Sequence, residues 1–89
     1  MKDTYLEVTF RHGRPLAAYL YLPREAGEKS VRTAREELGM IVDFSASGKP
    51  IGVELTAPAS VTLSSLNRVL GELGVMPLSE TDLKPLRAA

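Results

Sequence analysis

Met40-Ile41-Val42-Asp43-Phe44, then Ser45-Ala46-Ser47-Gly48-Lys49-Pro50, then Ile51-Gly52-Val53-Glu54-Leu55 is the stretch that decides the fold. Apolar residues alternate on both sides of a small-residue turn, and a period of two is the signature of a half-buried strand. Closing the hairpin sets Phe44 opposite Ile51, Val42 opposite Val53 and Met40 opposite Leu55, all on one face. Asp43 then meets Gly52, and Ile41 meets Glu54, on the other. A register that segregates every aliphatic side chain is strongly specified, because a slip of one residue would turn the set over.

Working outward, the same pattern occurs earlier in the chain. Leu6, Val8 and Phe10 alternate along Thr4–Phe10, and Leu16, Ala18, Leu20 and Leu22 along a second run. Arg11-His12-Gly13-Arg14-Pro15 between them reads as a hairpin loop, since glycine and proline punctuate strands. The expected register pairs Phe10 with Leu16, Val8 with Ala18 and Leu6 with Leu20. It also sets Tyr5 against Tyr21 and Glu7 against Tyr19 on the opposite face. Pro23 to Lys29 is a polar loop. Ser30 to Glu37 fits either a charged edge strand or a short helix. The edge strand is favoured because hairpins flank it and charges protect sheet edges.

After Leu55 the period changes. Pro58 and Ser60 break the strand pattern, and Thr62 is an N-cap candidate. Leu63, Leu66, Leu70 and Leu73 follow at helical spacing, widened by Val69. Gly74 suits the C′ position and Val75 a Schellman-type stop. In the remainder, Ser79 and Asp82 resemble a capping box, and Pro85 is expected to stop any helical turns there. Leu78, Leu83 and Leu86 are placed to pack on the core or on a partner. The fold class is therefore α+β: an antiparallel sheet of four to five strands, made of two β-hairpins plus an edge strand, with one C-terminal amphipathic helix packed on one face. Residues 1–75 form one β-rich domain and 76–89 a proline-containing tail.

Composition narrows the function classes. The chain has 89 residues, with 11 basic and 11 acidic side chains and no cysteine. Balanced charge supplies no long-range field for nucleic acid or acidic lipid. Without cysteine there is neither a disulfide framework nor a thiolate metal site, and one histidine makes no multi-histidine site. The opening Met1–Glu7 lacks the apolar run of a signal peptide, and no segment has the length of a membrane span. The expectation is a cytoplasmic protein with no cofactor. A core this thin, without staples, also favours self-association as a homodimer.

The run Ala18-Tyr19-Leu20-Tyr21-Leu22, the strand Gly39–Phe44, the turn with Gly48 and the strand Ile51–Leu55 resemble a family of small prokaryotic proteins, domain-of-unknown-function family 2283. Its members carry an Asp in the strand before the turn and Gly-x-Glu in the strand after it. Asp43, Gly52 and Glu54 stand at those positions. The resemblance covers a little over half of the chain. The first hairpin departs from it, with Arg11, His12 and Arg14 where the family usually carries acidic residues, and the helix and tail extend past the family's core. The resemblance implies a β-rich fold and carries no assigned reaction.

Three groups of residues are candidates for chemistry. Asp43 and Glu54, on adjacent strands and one face, form a carboxylate pair that suits general acid–base work or a divalent cation in a small metal-assisted enzyme. Arg11, His12 and Arg14 at the hairpin loop suit a phosphate or carboxylate, as in a weak nucleic-acid binder. Tyr5, Tyr19 and Tyr21 make an aromatic cluster of the kind that stacks bases or contacts proteins. No nucleophile elbow, phosphate loop or catalytic constellation occurs. The sequence therefore favours a non-enzymatic interaction or accessory module, an antitoxin-like binding partner being one concrete form, with a protein partner or a second copy as its target and nucleic acid as the weaker alternative.

Overall fold

A computed structural model describes residues 4–37 and 39–87. The five strands are β1 (Tyr5–Arg11), β2 (Arg14–Tyr21), β3 (Arg32–Glu37), β4 (Met40–Phe44) and β5 (Pro50–Leu55). They form one antiparallel sheet in the order β1-β2-β5-β4-β3. A 3-10 turn at Pro58–Ser60, helix α1 (Leu63–Glu72) and a one-turn helix α2 (Lys84–Arg87) follow. The ambiguous charged segment is the edge strand β3, so the class is α+β as the periodicities imply.

The strand order follows from hairpins. β1–β2, β3–β4 and β4–β5 are adjacent in sequence and in space, and the segment from Leu22 to Val31 carries the chain from β2 to the far edge. β2 then lies against β5, with Leu20 opposite Val53 and Ala18 opposite Leu55. That pairing joins the aliphatic faces of the two hairpins into one floor. Leu20, Leu22, Met40, Val42, Val53 and Leu55 are buried in a single cluster with Leu66, Val69 and Leu70 of α1. Opposite this core, no described helix covers the second sheet face.

Both hairpins differ from the simplest register by one residue, and proline is the reason in each. His12 and Gly13 take positive φ (54° and 76°) and make a two-residue turn closed by Arg11 and Arg14. Turns of this hand match strand twist. Tyr5–Tyr21, Leu6–Leu20, Glu7–Tyr19 and Val8–Ala18 pair as expected, but Phe10 pairs with Pro15 and not with Leu16. The extra residue is a bulge, and Leu16 is left 52% exposed. Likewise Phe44 pairs with Pro50 and not with Ile51, across an irregularity next to the Asp43–Gly52 pair. Proline cannot donate to a ladder and settles at bulges. The segment Arg11–Pro15 is thus mostly strand, with a tight turn at its centre.

The C-terminal half is fastened by local chemistry. The Thr62 hydroxyl accepts from the Ser65 amide at 3.0 Å, and Ser65 returns a bond to Thr62, a complete capping box. Gly74 has φ 74°. The Val75 amide donates to the Leu70 carbonyl at 2.8 Å and the Gly74 amide to the Gly71 carbonyl, which is the Schellman pattern. Beyond it, the Asn67 side chain holds the Leu78 backbone at both ends, accepting from its amide at 2.8 Å and donating to its carbonyl at 3.0 Å. Ser79 and Asp82 bond reciprocally. Pro85 does not stop the helical turn; it lies inside α2, in a first turn that needs no proline amide. Leu83 and Leu86 are buried in the core, so residues 78–87 complete the apolar layer over the sheet. The readings of Met1–Asp3 and of the chain end at 88–89 lie outside the described residues, as does Leu38. Among the described residues, no helix is long and apolar enough to cross a membrane.

Candidate functional site: an open sheet face with a tethered tyrosine

On the uncovered face the register lays side chains in rows. One row runs Tyr5, Tyr21, Gly52, Asp43, Thr33 from edge to edge, and the next runs Glu7, Tyr19, Glu54, Ile41, Arg35. The three candidate tyrosines come together. The rings of Tyr5 and Tyr21 have centroids 5.5 Å apart, and Tyr19 meets Tyr21 edge-on at 4.7 Å. Both spacings lie in the range that favours aromatic pairs.

Tyr19 reaches farther than its neighbours. Its hydroxyl donates to Asp43 Oδ2 at 2.5 Å, although β5 lies between the two strands. Two inter-strand spacings amount to about 10 Å, more than a tyrosine spans over an ordinary residue. Gly52 removes the obstacle. A Cβ placed there would stand 1.9 Å from the Tyr19 hydroxyl oxygen and 2.3 Å from its Cζ. The ring therefore occupies the space a side chain would take. An isolated glycine inside a strand marks such close approach, and that signal is present in the sequence.

Arg24 completes the group, and sequence reasoning missed it in a segment read as a polar loop. Its guanidinium donates to the Ile51 carbonyl and lies 5.3 Å from the Tyr21 ring centroid. The Ile51 carbonyl also accepts from the Leu22 amide. Across the loop, the Glu28 carboxylate accepts from the Glu25 amide at 2.7 Å and pairs with Lys49 at 3.3 Å. The hydrogen bond from the Glu25 amide first, then the hydrogen bond and charge of Lys49, hold the Glu28 carboxyl below its usual pKa against the opposing cost of desolvation. The crossover from β2 to β3 is thereby tied to the β4–β5 hairpin at two places.

Charge and burial act on the phenols in the same direction. Burial first, then the hydrogen bond to Asp43 and its charge, push Tyr19 up to about 12; Arg24 opposes this. The Glu7 carboxylate raises Tyr21, whose hydroxyl donates to Glu7 Oε1 at 3.3 Å. Both phenols are neutral over the ordinary pH range, and neither is a ready base.

The other candidates are arranged less closely. Asp43 and Glu54 share the face as diagonal neighbours, but Asp43 is engaged by Tyr19 while Glu54 is exposed. Among the described residues, no group of three or more acidic or histidine side chains is placed to hold a metal ion. Arg11, His12 and Arg14 are exposed at the tip of the first hairpin, where β2 has passed beyond its pairing with β5. They stand apart from the tyrosine rows.

The chain matches no family model, no curated protein and no solved structure. One side chain accounts for both Asp43 and Gly52: Gly52 makes room for the ring of Tyr19, and Asp43 accepts the hydrogen bond of its hydroxyl.

Proposed function

We propose that the protein is a non-enzymatic binding module that presents the open face of its sheet to another protein. The observation that carries this reading is the tyrosine strip held in place before any partner arrives. Tyr19 is fixed by Asp43 and supports Tyr21 edge-on, which in turn contacts Tyr5. Tyrosine offers a large amphipathic surface with few rotatable bonds, and ordering it in advance lowers the entropy cost of association. Glu7 and Glu54 on the same face disfavour phosphate-rich partners. The tail plays no part in this reading, because Leu83 and Leu86 are already engaged in the core.

A photo-crosslinking residue tests it. Placed at Tyr5, which is 53% exposed, it is expected to yield a covalent adduct with a partner chain in the source cell. Placed at Ser64, on the outer side of α1, it is expected to yield none. Equal adducts at both positions, or none at Tyr5, would remove the sheet face from consideration.

A further inference from the structure

The two edges of the sheet are built differently. β3 carries Arg32, Arg35, Glu36 and Glu37 within six residues, a charge density that discourages edge pairing. β1, the opposite edge, runs Tyr5-Leu6-Glu7-Val8-Thr9-Phe10-Arg11 with one acidic residue and no proline. Its composition is that of a strand prepared for a neighbour.

β1 is complementary to itself. In an antiparallel copy related by a two-fold axis at Val8, Leu6 faces Phe10 of the copy, and Val8 faces Val8. On the other side Tyr5 faces Arg11 of the copy, and Glu7 faces Thr9, with Arg11 of the copy on one diagonal and Glu7 of the copy on the other. Apolar groups meet apolar groups, and the two Glu7 side chains at the centre are flanked on either side by the two Arg11 cations.

The backbone agrees with this register. Arg11 and Arg14 flank a two-residue turn and so form a hydrogen-bonded pair. Backbone direction alternates along a strand, so the amides and carbonyls of Phe10, Val8 and Leu6 point to the open edge. In the proposed pairing each of these three meets another of the three.

A cleft beside Leu6 supplies the third observation. It has a volume of about 240 Å³ and is lined by Thr4, Leu6, Leu20, Leu78 and Asp82. Phe10, 47% exposed, follows Leu6 and Val8 on the core side of β1. The copy's Phe10, opposite Leu6, falls at this cleft.

We infer that two copies of the chain join through their β1 strands, antiparallel about Val8, with Phe10 of each entering the cleft beside Leu6 of the other. The product is one continuous sheet of twice the width. The pairing uses the edge: Tyr19 and Tyr21 stay open in both copies while Tyr5 of each lies beside Arg11 of the other, so a Tyr5 crosslink to a second copy reports this dimer and one to a different chain reports the partner of the open face.

Sedimentation equilibrium of the full chain is expected to show a particle of twice the 9.7 kDa chain mass. Phe10→Asp and Arg11→Glu are each expected to weaken dimerisation about tenfold or more. Adding Glu7→Arg to Arg11→Glu restores the opposite charges and should recover most of the loss. Circular dichroism of each variant checks that the monomer is folded. Amide exchange at Leu6, Val8 and Phe10 should slow as concentration rises, while exchange along β3 stays unchanged. A monomer up to about 1 mM, the weak end of specific association, overturns the inference. So does a dimer that ignores both single substitutions, or one whose concentration-dependent protection appears on β3.

Discussion

The phenol of Tyr19 and the carboxylate of Asp43 are hydrogen-bonded at 2.5 Å over the backbone of Gly52, joining β2 to β4 across the strand between them. This single contact couples the two hairpins on the open face, as the aliphatic cluster couples them on the buried one.

Gly52→Ala is expected to destabilise the protein by about 1–3 kcal/mol, since the new methyl group overlaps the Tyr19 ring and must displace it. In a Tyr19→Ala background the same change should stabilise by about 0.5 kcal/mol, because alanine suits a strand better than glycine. Urea unfolding of the four proteins of this cycle gives the coupling directly. An additive cycle would mean that the ring does not depend on the glycine.

The Tyr19 proton is held more tightly in the folded chain, with a pKa of about 12 against an ordinary 10. Its contribution to stability is therefore complete below pH 10 and is lost as pH rises through about 12. Asp43→Asn removes the neighbouring charge and should lower the Tyr19 value without returning it to 10, because burial is the larger cause. Ultraviolet titration of phenolate absorbance follows this. An unchanged titration in Asp43→Asn would separate the two residues.

Arg24→Ala should cost about 1–2 kcal/mol through the lost bond to the Ile51 carbonyl and the lost contact with Tyr21. Arg24→Lys should recover only part of this, since an ammonium lacks the planar fork that reaches a carbonyl while lying over a ring. Thermal unfolding of both variants ranks them, and equal stability of the lysine variant and the parent would rule out the stacking role.

Leu83→Ala should cost about 2–5 kcal/mol, as expected for emptying a core position. Asn67→Ala, which leaves the Leu78 amide and carbonyl without their partner, should cost about 1–3 kcal/mol and expose the segment around Met76 to protease. Limited proteolysis with mass analysis locates the cut. A Leu83→Ala protein as stable as the parent would show that residues 78–87 are an appendage.

Much of this molecule is written in local periodicity. Alternation at Leu6–Val8 and Met40–Val42, helical spacing from Leu63 to Leu73, and the cap residues Thr62 and Gly74 specify their elements because each acts over a few residues of chain. The tyrosine cluster was legible for the same reason, since one hairpin register fixes Tyr5 and Tyr19 relative to Tyr21. The bulges escaped because a proline's missing donor matters only once a ladder partner is chosen, so Phe10 went to Pro15 and Phe44 to Pro50. The tether from Tyr19 to Asp43, and the grip of Arg24 on Ile51, depend on β2 lying next to β5. That adjacency is set by burial of the two aliphatic faces under α1, an energy that no short window of sequence contains, and so only the assembled structure decides it.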